Sequence, residues 1–352
     1  MHAEPPTLTV AAMFDVGLGY GTTAEYMVRG MARTGARLSV IPLALRPDGL
    51  SPEIRSLIDR SSPDLDGPVL YYSWPRRELQ WLWSSSALFV NTMWESGRLP
   101  AGWSGWLNRA TAVIAPSRFV ADAFRRNGVT APVELVPEGI DPEVYRYHDR
   151  PPRPGLTTLI VAPLNERKHV TIGIRAWKLA FDGDPDARLL IKTSYNYRNL
   201  VPNDPRIHCS DRFEPTRGIA HWYRRADVLL ALGNEGFGLP LVEAMATGLP
   251  VIALDAEGQA DVCRDARGLL IPIPPSYNAP YRHRMWGDCG PRGIPGAEDV
   301  ARWLRWVAGH PDEAREMGRA ASRWARTNRN VWGKGPAVLA VMERYLRQSL
   351  RR

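Results

Sequence analysis

Short apolar runs that suit β-strands alternate with helical segments along this sequence, and the pattern occurs twice. The first half contains strand-like runs at 8–14, 37–43, 68–74, 87–93, 111–117 and 132–138. The second half contains them at 156–162, 187–193, 227–232, 250–254 and 268–272. Helices are expected at 23–34, 117–127, 169–181, 215–225, 239–247, 297–309, 311–327 and 330–350. The alternation predicts an α/β protein with two doubly wound, Rossmann-like domains, each built on a parallel sheet.

The stretch 142–155, PEVYRYHDRPPRPG, interrupts the alternation with prolines and charged residues. Its prolines suit neither a helix interior nor a central strand, so it is expected to be a linker. The predicted domains are therefore 1–150 and 151–334. A second irregular stretch, 273–295, is predicted to be a long loop, and loops of that length are commonly functional or mobile.

The composition is that of a globular protein, with 44% hydrophobic and 23% charged residues in a chain of 352. No apolar run approaches the roughly 20 residues that span a bilayer, and the N-terminus lacks the basic segment of a signal peptide. We therefore expect a cytoplasmic protein. The three cysteines are scattered and indicate no disulfide framework. The net charge of +8 comes from dispersed arginines, which form no basic stripe typical of nucleic-acid binding.

Polar residues follow three strand ends in the second half of the chain. Arg167 and Lys168 come after the run 156–162, and Lys192 and Thr193 close the run 187–193. The run 227–232 is followed by GNEGFGLPLVEAMATG, residues 233–248, which contains Glu235 and Glu243. Ligands of open parallel sheets bind beyond the carboxyl ends of the strands. The sequence therefore predicts a site where the cations lie near the two acids.

The helix expected after Gly238 lacks a capping side chain. Pro240 suits its first turn, which makes Leu239 the expected N-cap, and leucine offers no acceptor to the free amides. An anionic ligand group can take that place, and Gly236 and Gly238 let it approach the backbone. Phosphate is the natural candidate, with Arg167 and Lys168 neutralising its charge.

The two glutamates do not suit phosphate, but they suit hydroxyl groups that donate hydrogen bonds. A diphosphate with a ribose on one side and a sugar ring on the other is a nucleotide-sugar. The alternative makes Glu243 a partner of the helix dipole and Glu235 a solvated loop acid. The glycine context and the pairing of the two acids favour the ligand hypothesis.

At these residues the sequence resembles the retaining GT-B glycosyltransferases of the group-1 type. The E-x7-E element of that family corresponds to Glu235 and Glu243 within EGFGLPLVEAMATGLPVIA. Less specific pieces follow in the family's order along nearly the whole chain: GLGYG, TMWESGRLP, VIAPSRF, PVELVPEGIDPEVY, the RK pair at 167–168, YRRADVLLAL and RGLLIP.

The resemblance implies two Rossmann-like domains that face a central cleft, with a C-terminal helix, 335–352, returning to the first domain. It implies transfer of a hexose-type sugar, with retention of configuration, from a UDP- or GDP-linked donor to a hydroxyl acceptor. The acceptor would be a glycoside, a polysaccharide precursor or another natural product. Neither a metal nor another cofactor is expected.

The resemblance also assigns roles to residues. Glu235, Arg167 and Lys168 would be catalytic, with Glu235 near the sugar hydroxyls and the two cations on the departing diphosphate. Glu243 would bind the donor ribose. The remaining expected donor-binding residues are Gly236, Phe237, Gly238, Leu239, Thr193 and Arg212. The expected acceptor-side residues are Gly17, Gly19, Tyr20, Gly21, Trp94 and Glu95.

Two departures from the family pattern leave alternatives open. Many members have a histidine near the acceptor, but the matching stretch YYSWP, residues 71–75, has none, and Tyr72 or Ser73 stands near that place. Pro163 stands near the position of a frequent arginine, which leaves Arg167 as the phosphate candidate. A catalytically silent nucleotide-sugar-binding subunit, a retaining sugar phosphorylase and a nucleotide-sugar hydrolase therefore remain as alternatives.

Several other motifs favour ordinary structure. The loop DVGLGYGT, 15–22, is not G-x-G-x-x-G, and no acid ends the second strand to hold an NAD ribose. This loop either lines the acceptor pocket or forms a tight turn, with Thr22 capping the next helix. DGDPD, 182–186, and DLD, 64–66, mimic a metal-binding DxD motif but favour turns.

Two aromatic features have more than one interpretation. The thirteen tryptophans suit packing, and some of them suit stacking on sugar rings. The segment 117–128, with its apolar residues and arginines, suits core packing more than membrane association.

Overall fold

The computed structural model describes residues 7–15, 19–194 and 200–349. The chain forms two compact units. The first comprises residues 1–139, 282–289 and 331–352, and the second comprises 140–281 and 290–330. The division falls between Gly139 and Ile140, so residues 140–150 cluster with the second unit, whereas the sequence placed them in the first.

Strands and helices alternate over the described residues. The strands are β1 Leu8–Phe14, β2 Leu38–Leu45, β3 Pro68–Tyr72, β4 Ala87–Asn91, β5 Ala112–Ala115, β6 Val133–Leu135, β7 Thr157–Val161, β8 Arg188–Lys192, β9 Ile207–Ser210, β10 Val228–Ala231, β11 Val251–Leu254, β12 Ile271–Ile273, β13 Tyr277–His283 and β14 Gly287–Ile294. The α-helices are α1 Gly19–Ala32, α2 Pro52–Asp59, α3 Trp103–Leu107, α4 Arg118–Arg126, α5 Val170–Ala180, α6 Thr216–Arg224, α7 Leu239–Ala246, α8 Gln259–Asp265, α9 Ala297–Gly309, α10 Pro311–Asn328 and α11 Lys334–Ser349.

The first unit is built on a parallel sheet with strand order β2-β1-β3-β4-β5-β6. Its central strands are buried on both faces, which explains why β1 and β4 are almost wholly apolar. The C-terminal helix α11 packs on α1, where Gly30 meets Gly335. A Cβ at Gly335 would lie 2.5 Å from the Met27 carbonyl oxygen, so this close contact requires glycine.

The second unit has the parallel order β12-β11-β10-β7-β8-β9. The first strand of this unit, β7, lies beside its fourth strand, β10, and the order of the strands reverses between them. Loops that leave the carboxyl ends of such neighbours run to opposite faces of the sheet and leave a crevice where ligands bind. The two Rossmann-like α/β domains expected from the sequence are confirmed by these sheets.

The stretch 273–295 is not the irregular loop that the sequence predicted. It contains β13 and β14, which form a two-stranded sheet joined by three residues. The prediction was wrong because each strand contains a proline, Pro280 in β13 and Pro291 in β14, and β14 also contains three glycines. Both residue types are depleted in strands and read as loop in a sequence. Strand β9 and helix α8 likewise have no counterpart among the predicted elements.

Helix α1 begins at Gly19, so Thr22 lies inside its first turn and is not its cap. A Cβ on Gly21 would lie 1.9 Å from the Asp15 carbonyl oxygen, so the start of the helix needs glycine for close packing. Both DxD-like segments are Asx turns, in which Asp64 accepts from Asp66 and Gly67, and Asp184 accepts from Asp186 and Ala187. In α4, Val120, Ala123 and Phe124 are buried.

Candidate functional site

The loops after β7 and β10 meet at the point where the strand order reverses. The β7 loop contains a short 3₁₀ helix, Glu166–Lys168, and leads into α5. The β10 loop carries Asn234 and Glu235 and leads into α7. The backbone amide of Asn234 donates to the Arg167 carbonyl oxygen over 3.0 Å, and this hydrogen bond joins the two loops directly. The structure therefore brings together Arg167, Lys168 and Glu235, which the sequence placed in one site.

Glu235 is held by two cations. Arg167 Nη1 lies 2.9 Å from its Oε2, and Lys168 Nζ contacts its Oε1. Burial by itself would raise the pKa of Glu235, but the charges of Lys168 and Arg167 outweigh it and hold the pKa below its ordinary value. The site therefore presents an ionised carboxylate, a guanidinium group and an ammonium group within one hydrogen-bonded cluster.

The turn before α7 is a close-packed glycine turn. The N-cap is Gly238, with φ 99°, and not Leu239 as the sequence suggested. Neither residue has a side-chain acceptor, and Gly238 makes no side-chain cap. A Cβ on Gly258 would lie 2.1 Å from the Gly236 carbonyl oxygen, so the neighbouring loop packs directly on this turn. Phe237 is buried in the core, while Leu239 is half-buried.

Glu243 lies on α7 between two tyrosine hydroxyls. Tyr145 donates to its Oε1 over 2.9 Å and Tyr223 to its Oε2 over 2.6 Å. Burial raises the pKa of Glu243, and the two hydroxyl bonds only partly oppose the rise. Neither tyrosine is a candidate from sequence, because Tyr145 lies in the predicted linker and Tyr223 lies at the buried side of a helix.

Two of the predicted donor-binding residues, Thr193 and Arg212, have no described contact with the Glu235 cluster. Thr193 is buried at the end of β8, where its amide donates to Ser210 and its carbonyl oxygen accepts from Lys192 Nζ over 2.7 Å. Arg212 is exposed and follows β9, two strands away from β7. No described contact joins either residue to Glu235 among residues 7–15, 19–194 and 200–349.

Two of the predicted acceptor-side residues, Tyr20 and Trp94, hydrogen-bond to loop residues of the first unit. Met93 donates its amide to the Tyr20 hydroxyl over 2.9 Å, and burial raises the Tyr20 pKa. The Trp94 indole donates to the Arg98 carbonyl oxygen over 2.7 Å, and its ring packs on Trp103 and Trp286. Gly19 is exposed, Gly21 is buried and Glu95 is half-buried. Gly17 lies outside the described residues.

Within the described ranges, no three or more His, Cys, Asp or Glu side chains come together as a metal site. In that same part of the chain, no helix has the length and apolar character needed to cross a bilayer.

Comparison with known proteins places the chain in a family. A model described as "Glycosyl transferases group 1" matches residues 155–278, and one described as "Glycosyltransferase Family 4" matches residues 86–144. A glycosyltransferase structure from Rickettsia africae aligns with 98% of this chain and 99% of its own, with a TM-score of 0.69 and 13% identity. Residues 155–278 therefore match the group-1 glycosyltransferase model, and the chain has the GT-B fold of its structural neighbours.

Two further similar proteins are informative. A phosphatidyl-myo-inositol mannosyltransferase of Mycobacterium tuberculosis is 33% identical over 150 residues, which cover 40% of each protein. The match thus spans well under half the length of that curated relative. The structure of Anabaena HepE in complex with UDP and glucose covers 96% of this chain and 99% of its own, with a TM-score of 0.67 and 13% identity.

Proposed function

We propose that this protein is a metal-independent retaining glycosyltransferase that moves a hexose-type sugar from a UDP- or GDP-linked donor to a hydroxyl acceptor. The observation that carries the proposal is the cluster of Lys168, Arg167 and Glu235 at the reversal of strand order, beside the α7 turn that lacks a side-chain cap. The site thus combines cations for a diphosphate with a carboxylate for sugar hydroxyls.

The residues suit the two parts of the reaction differently. The bond between the anomeric carbon and the diphosphate oxygen breaks, and its electron pair leaves with the diphosphate. Lys168 and Arg167 stabilise that developing charge, as pre-positioned cations do at other leaving groups. The acceptor oxygen bonds to the same face of the anomeric carbon, and its proton passes to the departing diphosphate oxygen. Glu235 accepts one contact from each cation. An ionised carboxylate has roughly four acceptor sites, so Glu235 can also accept hydrogen bonds from sugar hydroxyls.

The comparisons support a nucleotide-sugar donor and a sugar-type acceptor. HepE is a structural neighbour whose complexes contain UDP and glucose or UDP-glucose. A Streptomyces bingchenggensis D-inositol 3-phosphate glycosyltransferase is 43% identical over 75 residues, 20% of this chain and 16% of its own. On this proposal the donor sugar lies against Glu235 and the donor ribose against Glu243.

The donor is tested by thermal shift with UDP-, GDP-, ADP- and dTDP-sugars, followed by turnover with sugar and polyol acceptors in the presence of EDTA. We expect one donor to raise the melting temperature, because a ligand at 100 times its Kd adds about 2.7 kcal/mol of stability. Transfer in EDTA with retained configuration supports the proposal. Binding without transfer indicates a silent subunit, and turnover onto phosphate or water indicates a phosphorylase or a hydrolase. Failure of every donor to bind overturns the proposal.

Removal of the tyrosine hydroxyls is expected to weaken donor binding. Tyr145→Phe and Tyr223→Phe each remove one donor from the Glu243 carboxylate, and a hydrogen bond to a charged group contributes roughly 1.5–3 kcal/mol. We expect the donor KM to rise by about tenfold, with a smaller change in kcat. Tyr147→Phe is the control, because Tyr147 hydrogen-bonds Asp149 and not Glu243. Unchanged donor KM in both variants would contradict the role of Glu243.

The same variants predict a pH effect. The carboxylate form of Glu243 accepts from ribose hydroxyls, and burial already raises its pKa above the ordinary value. The donor is therefore expected to bind most tightly above the pKa of Glu243, and its affinity falls as the pH drops through that pKa. Loss of a tyrosine hydroxyl raises the pKa further, so the rise in KM should begin at a higher pH in the variants than in the wild type.

A further inference from the structure

Two residues adopt a backbone conformation that side chains rarely tolerate. His169, with φ 51°, and Glu257, with φ 48°, are the only non-glycine residues with positive φ within 7–15, 19–194 and 200–349. Such positions store strain and persist when surrounding contacts hold them. They are 88 positions apart in the chain and lie on different loops. Both side chains nevertheless hydrogen-bond to the same residue, Asn234.

Asn234 is fully buried, and its side chain has a partner at both polar atoms. Its Oδ1 lies 2.8 Å from His169 Nε2, and its Nδ2 donates to Glu257 Oε2 over 2.7 Å and to the Gly293 carbonyl oxygen over 2.9 Å. Because an amide oxygen only accepts, the neutral His169 ring carries its proton on Nε2. Buried bonds of this kind are costly to leave unmade.

Asn234 and the residues it contacts are neighbours in the chain of the proposed catalytic residues. Lys168 immediately precedes His169, Glu235 immediately follows Asn234, and Gly258 immediately follows Glu257. The Gly258 amide donates to the Glu235 carbonyl oxygen over 2.8 Å, and the Gly293 amide of β14 donates to Glu257 Oε1 over 3.2 Å. Each strained residue is thus one peptide bond from a group that contacts Glu235 or packs on its turn.

We propose that Asn234 is the positioning residue of the active site, and that it holds the strained loops of His169 and Glu257 so that Lys168 and Glu235 keep one fixed geometry. This inference rests on the proposed function. The backbone strain at His169 and Glu257 would relax if their loops moved. The side-chain amide of Asn234 prevents that movement through its hydrogen bonds to both residues. Displacement of a positioned group by about 1 Å is enough to cost on the order of 100-fold in rate.

The inference is tested first by kinetics. Asn234→Ala removes all three side-chain contacts, and we expect kcat to fall by about 10- to 100-fold with a donor KM within about threefold of wild type. Val300→Ala is the control for lost stability, because Val300 is a fully buried residue of α9 outside this network. A kcat for Asn234→Ala within about twofold of that of Val300→Ala overturns the inference. Loss confined to KM overturns it as well.

Amide hydrogen exchange supplies a readout that needs no turnover. We expect Asn234→Ala to accelerate exchange by at least about tenfold in 166–170, 232–238 and 256–259 and to leave α9 unchanged, because local opening is independent of global unfolding. Val300→Ala should show the reverse pattern. Unchanged exchange in the three loops overturns the inference, even if sugar transfer is confirmed. Accelerated exchange in a protein that binds no nucleotide-sugar confirms that Asn234 holds the loops, and refutes only the proposed function.

Discussion

Lys168→Ala is expected to lower the kcat of sugar transfer by about 100- to 1,000-fold, which is the loss observed when one pre-positioned charge-stabilising group is removed from an enzyme. Lys168 contacts Glu235 in a half-buried cluster, where its charge is less screened than on the surface. The variant is expected to remain folded, because Arg167 still pairs with the Glu235 carboxylate after the lysine is gone.

The control for this experiment is Lys178→Ala, which removes an exposed lysine from α5, the helix that follows Lys168. We expect near-wild-type turnover from it. Glu235→Ala removes the carboxylate and should also abolish transfer, while circular dichroism shows the native fold. Wild-type-like turnover in both Lys168→Ala and Glu235→Ala would refute the assignment of the site.

Lys334→Met is expected to destabilise the first unit by about 3–5 kcal/mol, which is typical of removing one partner of a buried ion pair. Lys334 and Glu138 have side chains only 1% and 0% exposed, and Nζ lies 2.8 Å from Oε1. Without the lysine, Glu138 keeps the Tyr72 hydroxyl at 3.2 Å, which brings no charge. Its Oε2 is already buried without a hydrogen-bond partner in the described part of the chain.

Urea unfolding of the full chain measures this prediction. Glu138→Leu combined with Lys334→Met should recover most of the lost stability, because apolar replacement of a whole buried pair is often neutral or favourable. Arg347→Met is the control on the same helix, since it breaks an exposed pair with Glu343 that contributes roughly 0–1 kcal/mol. A single Lys334→Met loss no larger than that of Arg347→Met would show that the buried pair has no such role.

The part of the site that could be predicted from sequence follows from strand ends. Arg167, Lys168 and Glu235 each lie in a loop that follows a strand of recognisable apolar character, and parallel neighbours bring their carboxyl ends to one edge. Tyr145 could not be predicted in this way, because it lies in the stretch that the sequence predicted to be a linker and its contact is 98 residues away in the chain. The β13–β14 sheet also escaped prediction, because its strands contain prolines and glycines that are typical of loops.

The sequence by itself determined the two α/β units, the E-x7-E segment and the family, because periodicity and local motifs are properties of neighbouring residues. The tertiary structure alone decided which groups those residues contact. It paired Glu235 with Lys168 and Arg167, gave Glu243 two tyrosine hydroxyls, and made Asn234 the common partner of two strained loops. These contacts depend on chain segments far apart in sequence, and their energies arise from burial and geometry that exist only in the folded protein.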